Sequence, residues 1–287
     1  MSVIHIKPSV KDLGDNFKVR RLLPSIEKRM IGPFIFWDHM GPVELQAGRD
    51  MTVRAHPHIG LATITYLFSG EILHRDSLGN EQVIRPGEVN WMTAGNGIVH
   101  SERSFAKSPP ERLEGIQLWV ALPKDSEDVD ASFVHQKESE LPLLEHSGAT
   151  LRLIAGEFNH EKSPLPVYSD LFYLQAKIDK DKVFQFKLLE ESEAGVYIVN
   201  GSVEVNGEMF NRFDMISFEK GSEVNFKSLE DTEFMLLGGV AFPEKRHIWW
   251  NFVSSSSEKI EEAKQRWSEG RFPKVPKETE FIPLPDK

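Results

Sequence analysis

The chain has 287 residues, 40% of them hydrophobic, which is enough for two well-packed domains. Its formal net charge of −10 argues against direct nucleic-acid binding, which depends on a basic surface, and the absence of cysteine excludes disulfides and thiolate metal ligands. We find no secretory signal and no apolar run near the roughly 20 residues that span a bilayer, so the sequence predicts a cytoplasmic protein without a membrane partner.

The first distinctive segment, residues 34–40, reads FIFWDHM and lies between Pro33 and Pro42. Its dense aromatic content is typical of a buried strand. Side chains alternate between the two faces of a strand, so His39 points away from Asp38. His39 is therefore predicted to be a poor metal ligand.

Residues 56–102 contain two pairs of candidate metal ligands, His56-x-His58 and His100-x-Glu102. Alternation aims both members of each pair at the same side of a strand. The residues between the pairs form short apolar stretches separated by glycine-containing turns, as in a small antiparallel barrel that brings its two ends together. Four inward polar groups would be costly to bury without a partner. A single histidine is more often structural, but together the two pairs predict one divalent transition metal.

His74 lies in the same window, next to Asp76, and is predicted to be structural through a hydrogen bond to that carboxylate or to nearby backbone.

The sequence phrases around these pairs resemble the metal-binding half of pirins, two-domain members of the cupin superfamily. They are FIFWDHMGP at 34–42, HRDSLGN at 74–80 and WMTAGNGIVHSE at 91–102. Most cupins have a ligand carboxylate where this chain has Thr63; pirins share that change and take their glutamate from the second motif, as Glu102 would be here. The resemblance implies an all-β fold of two jelly-roll-like antiparallel β-barrel domains, with a short C-terminal helix and an extended tail.

A substrate pocket is predicted from two strands. Alternation in residues 114–120 places Gln117 and Trp119 on one face, which suits an aromatic-walled pocket with a polar group, although Trp119 is equally suited to core packing. The resemblance to pirins implies that Phe34, Phe36 and Asp38 line a cavity beside the metal.

The two domains are predicted at residues 1–133, which bind the metal, and 134–287, which do not. The second region is again rich in strands, and its turns at Asn200-Gly201 and Asn206-Gly207 are typical of tight hairpins. Tyr66–Ile72 aligns with Tyr197–Val203, which indicates an internal duplication. No histidine lies between His160 and His247, so a second three-histidine site is not expected.

The C-terminal tail is predicted to contain a helix at 256–269, with a capping box formed by Ser255 and Glu258 and a stop at Gly270. Aromatic residues at 249–252 are expected to attach this tail to a barrel. His247 has no neighbouring candidate ligand and is predicted to be structural.

The resemblance implies an iron-dependent dioxygenase that cleaves flavonols such as quercetin with dioxygen and releases carbon monoxide. Glu102 would be both a ligand and the base that takes the substrate proton. Imidazole and carboxylate ligands would also accept Mn, Co, Ni, Cu or Zn, so the ligand types leave the ion open. A rival hypothesis from the same family is a metal-dependent regulatory protein that binds a transcription factor or a metabolic enzyme. A third is a metal that only stabilises the fold.

Overall fold

The structure is a computed structural model in which residues 3–12, 18–45, 50–105 and 111–285 are described. Strands dominate it, and a helix follows them near the C-terminus, which confirms the all-β prediction. That helix is too short and too polar to cross a bilayer.

The strands of the first half are β1 (Val3–Ile6), β2 (Ser9–Asp12), β3 (Lys18–Leu23), β4 (Phe34–Leu45), β5 (Met51–His58), β6 (Leu61–Ser69), β7 (Ile72–Asp76), β8 (Glu81–Ile84), β9 (Val89–Thr93), β10 (Ile98–Ser104), β11 (Glu111–Ala121) and β12 (Ser132–Gln136). Those of the second half are β13 (Leu143–His146), β14 (Ala149–Phe158), β15 (Glu161–Lys162), β16 (Leu171–Ile178), β17 (Val183–Lys187), β18 (Ser192–Asn200), β19 (Ser202–Val205), β20 (Glu208–Asn211), β21 (Met215–Phe218), β22 (Glu223–Ser228), β23 (Thr232–Val240), β24 (His247–Trp249) and β25 (Phe252–Ser254).

The chain forms two compact units. The histidine unit consists of Lys11–Val19, Asp38–Glu138 and Pro243–Lys287, and the companion unit of Met1–Val10, Arg20–Trp37 and Ser139–Phe242. The switch at 138/139 lies close to the domain boundary predicted after residue 133. The tail groups with the histidine unit, where it packs on β5 and β10, and Met1–Val10 groups with the companion unit, where β1 pairs with β21.

In the histidine unit, β5, β10, β7 and β8 form a four-stranded sheet in that order. A second sheet has the order β12-β9-β6-β11-β4, to which β4 contributes its residues from Asp38 onward. The β5–β10, β7–β10, β6–β11 and β6–β9 pairs are antiparallel, and β6 is buried along most of its length. The two sheets stay open at their edges, so the unit is a sandwich of sheets, which is consistent with the predicted jelly-roll-like cupin domain.

The companion unit repeats this plan with one large sheet, β1-β21-β18-β23-β16-β14-β13, and a small one, β17-β22-β19-β20. The predicted hairpin at Asn206-Gly207 is confirmed, since both residues have positive φ and β19 pairs with β20. The hairpin predicted at Asn200-Gly201 is wrong. Gly201 does have a positive φ of 89°, but β18 and β19 belong to different sheets, so this turn carries the chain from one sheet to the other.

The tail forms one helix, α1 (Ser257–Ser268), close to the predicted range. Its N-cap is Ser256 and not the predicted Ser255: the Ser256 hydroxyl accepts a hydrogen bond from the Lys259 backbone N–H. Gly270, with φ +66°, ends the helix as predicted. The backbone N–H groups of Gly270 and Arg271 donate to the carbonyls of Trp267 and Arg266, which satisfies the last turn of the helix.

The tail packs on the back of β5 and β10. Phe252, Ile260, Ala263, Phe272 and Val275 form one apolar cluster with three residues of these strands and the turn after β5, namely Ala55, Ile59 and Val99. The Val253 N–H donates to the Ile59 carbonyl at 3.2 Å, and the Ile282 N–H donates to the Ala55 carbonyl at 2.8 Å. The prediction that the aromatic residues at 249–252 attach the tail to the strands of a barrel-like unit is confirmed.

Glu278 ties the end of the tail to the sheet that carries the histidines. Its carboxylate, 3% exposed, accepts hydrogen bonds from Arg75 at 3.3 Å, from Ser101 at 3.0 Å and from Arg103 at 3.0 Å. These contacts, the bond from Arg103 first, lower the pKa of the Glu278 carboxyl. Glu278 is therefore ionised at neutral pH and joins β7, β10 and the tail.

Glu278→Ala should lower the free energy of unfolding by about 2 kcal/mol, because several hydrogen bonds to a charged group are lost and Arg103 loses its carboxylate partner. Urea unfolding of the purified variant measures this. Glu262→Ala, on the exposed face of α1, is the matched control and should leave the unfolding midpoint unchanged. A wild-type midpoint for Glu278→Ala would show that this contact does not hold the tail.

Candidate metal centre

The pairing of β5 with β10 brings the predicted ligands together. His100 lies directly opposite His56, and Ile98 lies opposite His58. Between His100 and Glu102 the register shifts. His100 pairs with His56 and Glu102 pairs with Val53, so β5 has one extra residue over this stretch, which is a β-bulge. This bulge ends immediately before the first histidine, and it re-aims the strand as bulges beside active sites do.

The three imidazoles form a buried cluster. One ring nitrogen from each of His56, His58 and His100 lies within 4.8 Å of the others. The Nε2 atoms of His58 and His100 are 3.1 Å apart, and all three side chains are less than 10% exposed. In the part of the chain that the structure describes, this is the one group of three or more metal-ligating side chains found.

Two backbone carbonyls orient two of these rings. The Nδ1 atom of His56 lies 2.8 Å from the carbonyl oxygen of Arg54, within the bulge, and Nδ1 of His58 lies 3.2 Å from that of Asn251. A carbonyl only accepts, so each Nδ1 must be the donor, and Nε2 of each neutral ring keeps its lone pair. This is how metal-binding histidines are commonly held. Neither carbonyl was predicted, because main-chain partners leave no side-chain signal in the sequence.

The cluster keeps its histidines uncharged. Burial, as the largest cause, lowers the pKa of His56 to about 4, and it lowers the pKa values of His58 and His100 well below their usual range. Neighbouring histidines lower them further. At neutral pH all three rings are therefore neutral, as a metal ligand must be.

The spacing of the nitrogens fits a shared ion. Nitrogens 3.1 Å apart are close enough to bind one divalent ion with metal–nitrogen bonds of about 2.1 Å. In a neutral His58–His100 pair whose Nδ1 atoms carry the protons, two lone pairs would instead face each other. Nδ1 of His100 has no hydrogen-bond partner among the described residues, so in the metal-free protein Nε2 of His100 can carry the proton and donate to Nε2 of His58. A cation bound by both Nε2 atoms would replace this hydrogen bond.

Glu102 is buried near this cluster and lies outside the three-histidine group as the side chains stand. Burial raises the pKa of the Glu102 carboxyl, while the charge of His74 and a hydrogen bond from Thr65 oppose that shift. The Thr65 hydroxyl lies 3.4 Å from a Glu102 oxygen and 2.8 Å from the Gln117 side-chain oxygen. It has one proton for two acceptors; rotating the Gln117 amide by 180° would make Gln117 the donor and leave that proton for Glu102.

The predicted pocket residues divide into two sets. Trp119 is at the cluster, with its ring edge-to-face against His58 at 5.1 Å, and Gln117 reaches Glu102 through Thr65. The described contacts of Phe34 and Phe36 lie in the companion unit, where Phe34 packs 6.1 Å from Tyr173 and Arg21 lies over Phe36.

Asp38 is buried on β4. Substrate contacts by Asp38 and by the two phenylalanines remain a prediction. The contact of Thr65 with Glu102 and Gln117 was not predicted. Thr65 lies on the same face of β6 as Thr63, and this alternation was the sequence signal that could have identified it.

His74 has the structural contact that was expected, and His39 has a carboxylate partner away from the three-histidine group. His74 hydrogen-bonds to Asp76 at 3.1 Å and stacks on Phe133 at 4.4 Å. His39 is buried against Glu114. Burial, the largest single cause, raises the pKa of the Glu114 carboxyl, but the hydrogen bonds from His39 and Arg112 together lower it to about 2.

Two family models cover most of the chain. The model described as Pirin matches residues 16–120, and the model described as Pirin C-terminal cupin domain matches residues 173–273. The chain belongs to the pirin family. The predicted resemblance and the cupin fold are thereby confirmed.

Individual relatives agree with this assignment. A pirin-like protein from Caulobacter vibrioides is 50% identical over 282 residues, which are 96% of each chain. The crystal structure of quercetin 2,3-dioxygenase from Acinetobacter baumannii superposes with a TM-score of 0.90 at 33% identity, covering 99% of this pirin and 96% of that chain. A bacterial pirin from Escherichia coli in complex with nickel(II) shares the fold, with a TM-score of 0.68 at 19% identity and coverage of 84% and 100%.

The companion unit of this pirin repeats the turns of the histidine unit. Gly87 and Phe213 both have positive φ, and their N–H groups donate to Leu67 and Ile198, which the sequence alignment had already paired. In each turn a carboxylate, Glu88 or Asp214, accepts a backbone N–H three residues before it. The predicted internal duplication is visible in these hydrogen bonds.

The strand registers then show what replaced the ligands. Phe186 faces Val224 as His56 faces His100. Continuing both ladders equates Glu102 with Phe226 and His58 with Leu188. His160 is exposed and His247 half-buried, and neither belongs to the metal-ligating group found among the described residues. The companion unit therefore keeps the frame of the site and has apolar side chains at the ligand positions.

His56→Ala or His58→Ala should abolish metal binding and leave the fold intact, since each removes one nitrogen from the cluster while the apolar cores remain. The wild-type chain should hold one ion after exhaustive dialysis. Elemental analysis and circular dichroism measure the two properties, and His247→Ala is the control that should keep its metal. A second tightly held ion, or full occupancy in either variant, would contradict this assignment.

Acidification should destabilise the metal-free protein. The unfolded chain protonates His56 near pH 6.5, whereas the folded chain does so only near pH 4, so folding stability falls as the pH drops through this window. His56 alone would account for about 3 kcal/mol between these limits. Urea unfolding at pH 7.5, 6 and 5 measures the slope, which should be shallower in His56→Asn. Equal stability at all three pH values would show that the cluster is not held neutral.

Proposed function

We propose that this pirin is a metal-dependent dioxygenase that cleaves flavonols such as quercetin and releases carbon monoxide. The observation that carries the proposal is the cluster of three neutral imidazoles whose ring nitrogens converge near a buried carboxylate. The close structural match to a protein named quercetin 2,3-dioxygenase supports the substrate class.

The residues of the site suggest how a flavonol would be held. A divalent ion bound by His56, His58 and His100, with Glu102 as a fourth ligand, would polarise substrate oxygens as a Lewis acid. We propose iron as this ion. Imidazole and carboxylate ligands also accept Mn, Co, Ni, Cu or Zn. The pirin from Escherichia coli was crystallised in complex with nickel(II). Trp119, packed against His58, would supply an aromatic wall for the flat rings of the substrate.

Glu102 would accept the proton of the flavonol 3-hydroxyl group. Because burial raises the pKa of its carboxyl, its ionised form is a stronger base than an exposed glutamate. The Thr65 hydroxyl would keep the carboxylate oriented, with Gln117 behind it. Protonation of Glu102 in a water-poor site would then hold the proton while the ring is cleaved.

The direct test is oxygen consumption and carbon monoxide release by the iron-loaded protein on a flavonol panel. Quercetin should be turned over, and quercetin methylated at the 3-hydroxyl should not, because it has no proton for Glu102 to accept. Full metal occupancy without turnover of any flavonol would contradict the proposal. It would favour the regulatory hypothesis, in which the metal controls binding of a protein partner.

Glu102→Gln should lose more activity than metal. The amide oxygen can still coordinate weakly, but it cannot accept the proton, and loss of a general base typically lowers kcat about 10²- to 10⁴-fold. Metal content and kcat, measured on the same sample, separate these effects. Glu204→Gln, an exposed position on β19, is the control. Wild-type kcat in Glu102→Gln would assign the base to another group.

A further inference from the structure

The companion unit contains a cavity of about 890 Å³, which is in the range of small-molecule sites. It is lined by residues of the second half of the chain alone, so it does not depend on the metal centre. The established family assignment gives it no role.

Three phenylalanines form its wall. Phe158, Phe172 and Phe186 contact one another edge-to-face, with ring centroids 5.3–5.9 Å apart. Phe186 is half-buried, and Tyr168, also on the lining, is 37% exposed. Aromatic rings in this arrangement offer edges and faces to a further flat ring.

The cavity includes the positions that correspond to metal ligands in the histidine unit. Phe186 and Leu188, on its lining, are the counterparts of His56 and His58. Gly238 is the counterpart of Trp119. Gly238 pairs with Ala194 as Trp119 pairs with Thr63, and the sequence alignment of the two halves equates Ala194 with Thr63. A Cβ on Gly238 would lie 2.3 Å from the Phe172 ring, so the glycine makes room for that ring. The duplicated site has therefore exchanged its polar ligands for aromatic walls.

The polar groups of the lining favour an uncharged ligand. Two acidic residues, Glu157 and Asp170, balance two basic ones, Lys162 and Lys187, so the rim selects neither anions nor cations. Ser169 differs from these groups: its hydroxyl oxygen is buried and has no hydrogen-bond partner among the described residues. A buried hydroxyl without a partner is costly. Ser169 as a whole is half-buried, so a turn about its χ1 would bring the hydroxyl to the cavity, where a ligand hydroxyl could satisfy it.

We propose that the companion unit binds an uncharged, hydroxylated aromatic molecule in this cavity, with its rings against the three phenylalanines and its hydroxyl group at Ser169. A charged ring system would lose its hydration next to these apolar walls without gaining an ion pair. The ligand is thus recognised without a metal.

Fluorescence titration with 2-naphthol tests the proposal, in the wild type and in the metal-free His56→Ala protein. Both should bind the probe saturably with the same affinity. Phe186→Ala and Tyr168→Ala should each weaken binding about tenfold, because each removes a ring from the wall or the mouth. Val183→Ala, an exposed position on the same strand as Phe186, is the matched control and should bind as the wild type does.

Ser169→Ala separates the polar contact from ring stacking. It should weaken 2-naphthol about fivefold and leave naphthalene, which has no hydroxyl, unchanged. Binding that disappears in His56→Ala would place the probe at the metal centre and overturn the proposal. So would a Kd above about 1 mM for the wild type, or an affinity that neither Tyr168→Ala nor Phe186→Ala changes. Tyr168 is partly exposed, so this variant keeps the test decisive if Phe186→Ala does not fold.

Discussion

The mutual neutrality of three buried imidazoles is the constraint on which the site depends. Charged rings this close together would repel one another, and burial already disfavours each charge. Neutral rings in turn need a donor side and an acceptor side that are fixed. The carbonyls of Arg54 and Asn251 fix them for His56 and His58, and the remaining nitrogens then converge. The bulge before His56, the β5–β10 register and the position of the tail all contribute to this single requirement.

Much of the fold and of the site could be predicted because it rests on side-chain patterns. The alternation of His-x-His and His-x-Glu sufficed to bring three candidate ligands together, and the turn residues sufficed to locate Gly270 and the Asn206-Gly207 hairpin. The change of sheet at Gly201 could not be predicted, because a positive φ specifies a turn and does not specify which strands pair beyond it. The substrate role of Phe34 and Phe36 remains a prediction from resemblance.

Long-range main-chain contacts were invisible for a different reason. Any residue at position 251 offers the same carbonyl, so nothing in its side chain identifies it as the partner of His58. The tail was predicted to attach to a barrel, yet its assignment to the histidine unit depends on the apolar cluster with Ala55, Ile59 and Val99. Composition can show that a segment will be buried, whereas the surface that buries it is a property of the folded chain.

The hydrogen bond from His58 to Asn251 also has a consequence in time. A ribosome adds about 5–20 residues per second, so the 193 residues between these partners take about 10–40 s to synthesise. During that interval the ligand strands already exist, but the ring of His58 lacks the acceptor that sets its tautomer. The nascent chain should therefore complete its candidate metal centre only after the C-terminal segment has emerged, and a prematurely terminated chain would be released without it.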